Sequence, residues 1–129
     1  MTIKVELAYG ELLDKITILQ IKSERITDAE KVANVNKELN LLNDLWASDE
    51  KSSADIAAEF KALKEINEKI WDIEDGIRDK ERDKEFDEEF IELARSVYFS
   101  NDKRAEIKRA INMKLGSELI EEKSYSDYE

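Results

Sequence analysis

Apolar residues recur at helical spacing along most of this chain, and the pattern predicts four helices after a short extended start. Residues 2–9 alternate instead, with Ile3, Val5, Leu7 and Tyr9 against Lys4, Glu6 and Ala8, a period of two that reads as extended chain. One short strand has no stability by itself, so it must lie on the helices or pair with its own copy in a dimer. The first helix is expected over about 10–26, with Gly10 as its N-cap and Glu11 and Asp14 at its positive end. Leu12, Ile16, Leu19 and Ile26 form one stripe, while Ile18 and Ile21 lie off it. A helix apolar on two sides belongs at the centre of a bundle or in an interface.

The second helix is expected over about 28–47, opened by Thr27-Asp28. Its Val32, Val35, Leu39, Leu42 and Trp46 follow a 3-4 spacing, the seam of a hairpin with the first helix. A polar turn follows at 48–53. The third helix, about 53–82, keeps Ile56, Phe60, Leu63, Ile66, Ile70, Ile73 and Ile77 on one face over roughly 45 Å. Gly76 inside it costs up to about 1 kcal/mol relative to alanine, which a close backbone contact would explain. The fourth helix, about 87–115, shows Phe90, Leu93, Val97, Ile111 and Leu115 and stops at Gly116, with Ser100-Asn101-Asp102 as a candidate break. The tail, 117–129, is acidic with two tyrosines, and its last residues are expected to be loosely ordered.

The fold class is therefore all-α: one domain over 1–129, an antiparallel four-helix bundle or pair of long helical hairpins. The long, thin helices predict a homodimer.

Composition narrows the chemistry. The 129 residues include no cysteine, histidine or proline. That removes disulfides, thiolate nucleophiles, cysteine-ligated zinc, the commonest general base and any Ser-His-Asp triad. It also suits a reducing cytoplasm. The start lacks the basic-then-apolar build of a signal peptide, and no apolar run approaches the roughly 20 residues of a membrane span. With 32 acidic residues against 21 basic ones, the net charge of -11 repels phosphate backbones, so neither membrane nor nucleic acid is an expected partner.

Several polar groupings stand out. On the first helix Glu11, Asp14, Lys15 and Lys22 form a charged cluster, whose plainer reading is a solvated face of i,i+4 pairs. On the third, Asp72, Asp75 and Asp79 share a face beside Arg78. Such carboxylates bind a hard cation or pair with bases, here those of the fourth helix. On the fourth, the apolar seam between Val97 and Ile111 passes through Asn101, Arg104 and Lys108, and Asn67 interrupts the third helix in the same way. Buried polar groups must be paired and often fix register or partner choice. Arg104 beside Asp72 or Asp75 would satisfy such a network. The functional reading is a pocket in which Arg95 and Arg104 hold an anion.

Two enzyme patterns are partly matched. Glu88-Glu89-Phe90-Ile91-Glu92 is similar to the Glu-Glu-x-x-Glu half of the magnesium site of all-helical nucleotide pyrophosphohydrolases. The Glu-x-x-Asp half is missing; Glu118-Leu119-Ile120-Glu121 lacks the aspartate and is misplaced. Leu13-Asp14-Lys15-Ile16, opening a helix that reaches Arg25, is similar to a chorismate-mutase-like helical dimer, but the rest of that family's basic site is not matched.

A wider resemblance rests on Gly10-Glu11-Leu12-Leu13-Asp14-Lys15-Ile16-Thr17-Ile18-Leu19, Ile70-Trp71-Asp72-Ile73-Glu74-Asp75-Gly76-Ile77-Arg78 and Ala94-Arg95-Ser96-Val97-Tyr98. Asn101-Asp102-Lys103-Arg104, Leu115-Gly116-Ser117 and Glu122-Lys123-Ser124-Tyr125 extend it over nearly the whole chain. Together they resemble a family of short, helical bacterial proteins of unknown function, which implies a bacterial origin and no mechanism.

The expectation is a non-catalytic binding or assembly module without a cofactor, acting as a homodimer on a protein partner or small anionic ligand. Its candidate polar site is Glu11, Asp14, Lys15, Lys22, Asp72, Asp75, Arg78, Arg95, Asn101, Arg104 and Lys108. The rival is a magnesium-dependent hydrolase using Asp72, Asp75, Glu89 and Glu92.

Overall fold

The computed structural model describes residues 2–128, and within them the chain is all-α. Four helices follow in order: α1 (Tyr9–Arg25), α2 (Ala29–Ala47), α3 (Ala57–Arg82) and α4 (Glu88–Leu115), with a short 3-10 turn, Glu50–Ser53, between α2 and α3. No described helix is long and apolar enough to cross a membrane.

The helix ends follow local chemistry. Asp28 caps α2 by accepting from the Lys31 amide at 3.0 Å, and Asp87 caps α4 by accepting from the Phe90 amide at 2.9 Å. Gly116 stops α4 in the left-handed region at φ 67°, where the Ser117 amide returns to the Asn112 carbonyl at 2.8 Å. Across Ser100-Asn101-Asp102 α4 runs unbroken.

α1 sits at the centre, packed against α2, α3 and α4. Leu12, Leu13, Ile16, Ile56, Leu63, Ile107, Ile111 and Leu115 form the core, with Tyr9, Leu39, Trp46 and Phe60 against it. On the second apolar side of α1, Ile21 is buried within the chain and Ile18 is half-buried.

Gly10 plays a different part from the one its sequence suggests. The N-cap is Ala8, in extended conformation, and Gly10 lies in the first turn of α1. A Cβ there would stand 2.5 Å from the Lys108 carbonyl oxygen, so the absent side chain lets α1 and α4 touch. Its amide donates to the Asn112 side-chain oxygen at 2.6 Å.

Residues 2–8 form no strand, and Ile3 and Val5 are exposed. α3 is 26 residues long and α4 is 28, against 17 for α1. α1 ends at Arg25, beside Asp72, so α3 runs on for about 15 Å past it. Phe86 and Ile91 are exposed at that tip. The tail turns at Gly116 and lies along α4, with Glu121 on Lys108, Glu122 on Arg109, and the Tyr128 ring against Tyr98 and Phe99.

Candidate functional site

The polar centre of the molecule is Asp14. It sits on the same face of α1 as Thr17 and Ile21, three and seven residues on, and is only 1% exposed. A carboxylate so buried needs partners. Arg104 of α4 supplies two: its Nε donates to Oδ1 at 2.9 Å and its Nη2 to Oδ2. The planar guanidinium matches the carboxylate fork in a way lysine does not. From α3, the Asn67 amide nitrogen donates to Asp14 Oδ1 and to Thr17 Oγ1, both at 2.9 Å. The Thr17 hydroxyl donates to the Asp14 carbonyl oxygen at 2.8 Å, which closes the network. Hydrogen bonding to Asp14 raises the Arg104 pKa despite burial, so the guanidinium is charged at every working pH.

One turn along α4, Lys108 is also buried. Its ammonium donates to Glu11 at 2.7 Å and to Glu121 of the tail at 2.9 Å, and lies 4.0 Å from Asp14. Burial pulls its pKa down, the largest single effect, but the two hydrogen bonds and the Asp14 charge together outweigh it and the net shift is upward. The same contact with Lys108 holds the Glu121 carboxyl below its ordinary range. Glu11, Asn101, Arg104, Lys108, Glu121 and Lys123 line an open pocket of about 250 Å³.

The structure thus brings together Glu11, Asp14, Asn101, Arg104 and Lys108 and leaves the other candidates apart. Lys15 is exposed, and Lys22 is half-buried in the last turn of α1. Asp72 pairs with Arg25 at 2.6 Å, so it is no partner of Arg104. Asp75 is exposed. Arg78 faces Glu74 of its own helix at 3.6 Å, and Arg95 faces Glu92 at 3.2 Å, away from Arg104. The reason is register: Asp14 lies opposite Arg104, and Asp72 lies beyond, at the end of α1.

Carboxylates do not gather into a metal centre among the described residues. Glu89 and Asp87 pair with Lys80, and Glu92 with Arg95. Of the hydrolase candidates, Asp72 also pairs, with Arg25 of α1, while Asp75 and Glu88 are exposed.

Thr17, Glu121, Lys123 and Asn112 also belong to the site or its frame and stood outside the sequence candidates. Thr17 had a readable signal, since Asp14, Thr17 and Ile21 follow helical spacing within an otherwise buried face. Glu121 and Lys123 had none, because the path of an irregular tail is not periodic.

Neither a curated protein nor a solved structure matches the chain. A family model, described as "Family of unknown function (DUF6165)", matches residues 3–128. The site therefore stands on its own geometry, and the chain belongs to this family of unknown function.

Proposed function

We propose that this protein is a non-catalytic binding or assembly module that works as a homodimer and takes the anionic group of a ligand at the Asp14–Arg104–Lys108 network. The observation that carries the reading is a buried carboxylate held by a half-buried guanidinium beside a buried lysine, with the two cations on the wall of an open pocket. Burying such charges costs about as much as their attraction returns, so the pair adds little net stability. The apolar core around Leu13, Leu63 and Ile111 supplies the main driving force for the fold in this reading. What the network does supply is side chains fixed in place, which a ligand site requires.

In this reading the helices alternate in direction. Gly10, early in α1, meets Asn112, late in α4, and Lys80, late in α3, meets Asp87, at the cap of α4. The dimer rests on the exposed apolar residues Ile3, Val5, Leu41 and Leu45, in place of the second side of α1.

Two measurements test this. Light scattering after size-exclusion chromatography should give a mass near twice 15.0 kDa; a monomer at high concentration would contradict the dimer. Thermal unfolding in phosphate buffer should stabilise the wild type at fixed ionic strength, since a ligand at 100 times its dissociation constant adds about 2.7 kcal/mol. Arg104→Lys keeps the charge but loses the fork, and should weaken that response. An equal response in both proteins, or none in either at any oxyanion concentration, would overturn the site.

A further inference from the structure

Lys108 is the one residue of the network held by both the helical frame and the tail. Glu11 reaches it from the first turn of α1, which is fixed by the core on both sides of that turn. Glu121 reaches it from an irregular segment that is attached to α4 through side chains: the Glu121–Lys108 and Glu122–Arg109 pairs and the Tyr128 ring on Tyr98 and Phe99. The two carboxylates therefore differ in how easily they leave. Both side chains reach solvent, but Glu11 stands on a helical backbone packed in the core, whereas Glu121 stands on an irregular segment and can leave by side-chain rotation together with a shift of its own backbone.

Charge in the pocket points the same way. Arg104, Lys108 and Lys123 face Glu11 and Glu121 across the lining, with Asp14 buried behind Arg104. Swinging Glu121 aside leaves three cations against Glu11 and Asp14, a net positive cavity in a strongly acidic protein. The space is of the size of a small oxyanion with its first waters.

We propose that the Glu121 carboxylate is an internal, displaceable occupant of this site: it holds the place on Lys108 that a phosphate or carboxylate group of the ligand takes, and Lys123 stays as the third cation. Ligand binding is thereby coupled to the Glu121 clip on Lys108, with the backbone of the tail still seated and Lys123 in the lining. The inference rests on the oxyanion-site reading above and adds competition by the protein's own tail.

The test is calorimetric titration of the full chain with inorganic pyrophosphate and, separately, with succinate, at one ionic strength. Glu121→Gln should bind the preferred anion roughly fivefold tighter than the wild type, the scale of losing one partly exposed ionic competitor. Glu122→Gln makes the same charge change on Arg109, away from Lys108, and should leave affinity close to wild type. Preference for pyrophosphate or for succinate assigns the ligand class, and either supports the proposal. Equal affinity in wild type and Glu121→Gln would overturn the competition while leaving the site intact. An equal gain in both variants would also overturn it, as a general charge effect. Absence of binding in all three proteins would overturn the site and the inference together.

Discussion

Two lysines of this molecule each hold three carboxylates within 4 Å, and they do so in opposite ways. Lys80, at the tip of the α3–α4 hairpin, gathers Glu85, Asp87 and Glu89, all within nine positions of it in the chain. The hydrogen bonds it donates to Asp87, then to Glu89 and Glu85, raise its pKa, and the acids themselves stay exposed. Lys108, at the bundle end, gathers Glu11, Asp14 and Glu121 from another helix and from the tail, Glu11 lying 97 positions away. The first network pins a turn that local sequence already favours. The second joins elements that only the tertiary fold brings together, and it does so next to a buried ion pair and an open pocket. Charge count alone does not separate the two; chain separation and burial do.

The sharpest way to break the comparison is to remove one cation from each end. Arg104→Ala leaves Asp14 buried without its fork and should cost about 3 kcal/mol in urea unfolding, as breaking a buried pair does. Lys80→Ala removes a partner only of exposed carboxylates and should move the urea midpoint little. Equal losses would mean that both networks are structural.

The next effect concerns close approach. Gly10→Ala sets a methyl group 2.5 Å from a backbone oxygen of α4, which cannot yield without parting the helices, and should destabilise by about 2 kcal/mol. At Gly76 the same methyl meets the Leu93 side chain at 3.2 Å, which can rotate away. There the helix-propensity gain of up to about 1 kcal/mol offsets the squeeze, and Gly76→Ala should be near neutral by thermal unfolding.

A smaller effect separates the tail by pH. The Glu121 carboxyl lies below its ordinary value of 4.5 because Lys108 donates to it, so its clip is intact above that value and is lost as pH falls through the depressed one. The Lys108 ammonium lies above its ordinary 10.5, so it keeps the clip as pH rises until it titrates beyond that value. Amide shifts of Ser124 and Tyr125 should therefore hold steady from neutral pH downward and change only under acid. A transition near neutrality would show that Glu121 does not sit on Lys108.

The helices were legible because burial imposes a 3.6-residue period, and the two apolar sides of α1 left it either at the bundle centre or in an interface, of which the packing against α2, α3 and α4 shows the first. Asn101, Arg104 and Lys108 were legible for the same reason, as a polar break in the α4 seam. Their partner was not. Asp14 and Asp72 both offer a carboxylate to Arg104, and only the offset between α1, α3 and α4 decides for Asp14. The role of Gly10 was hidden because a glycine at a helix start serves equally as a cap and as a gap for a neighbour. Glu121 was hidden because the tail has no period, and its course depends on the turn at Gly116 and on rings that Tyr128 meets 29 and 30 positions back.

The central claim is that the buried network serves binding and not folding, and a double substitution tests it directly. Asp14→Leu with Arg104→Met replaces the pair by apolar groups of similar volume. Urea unfolding should find this variant as stable as the wild type or more so, while Arg104→Ala alone is about 3 kcal/mol weaker. A double variant as unstable as the single one would show that the ion pair holds the fold together, and would contradict the account.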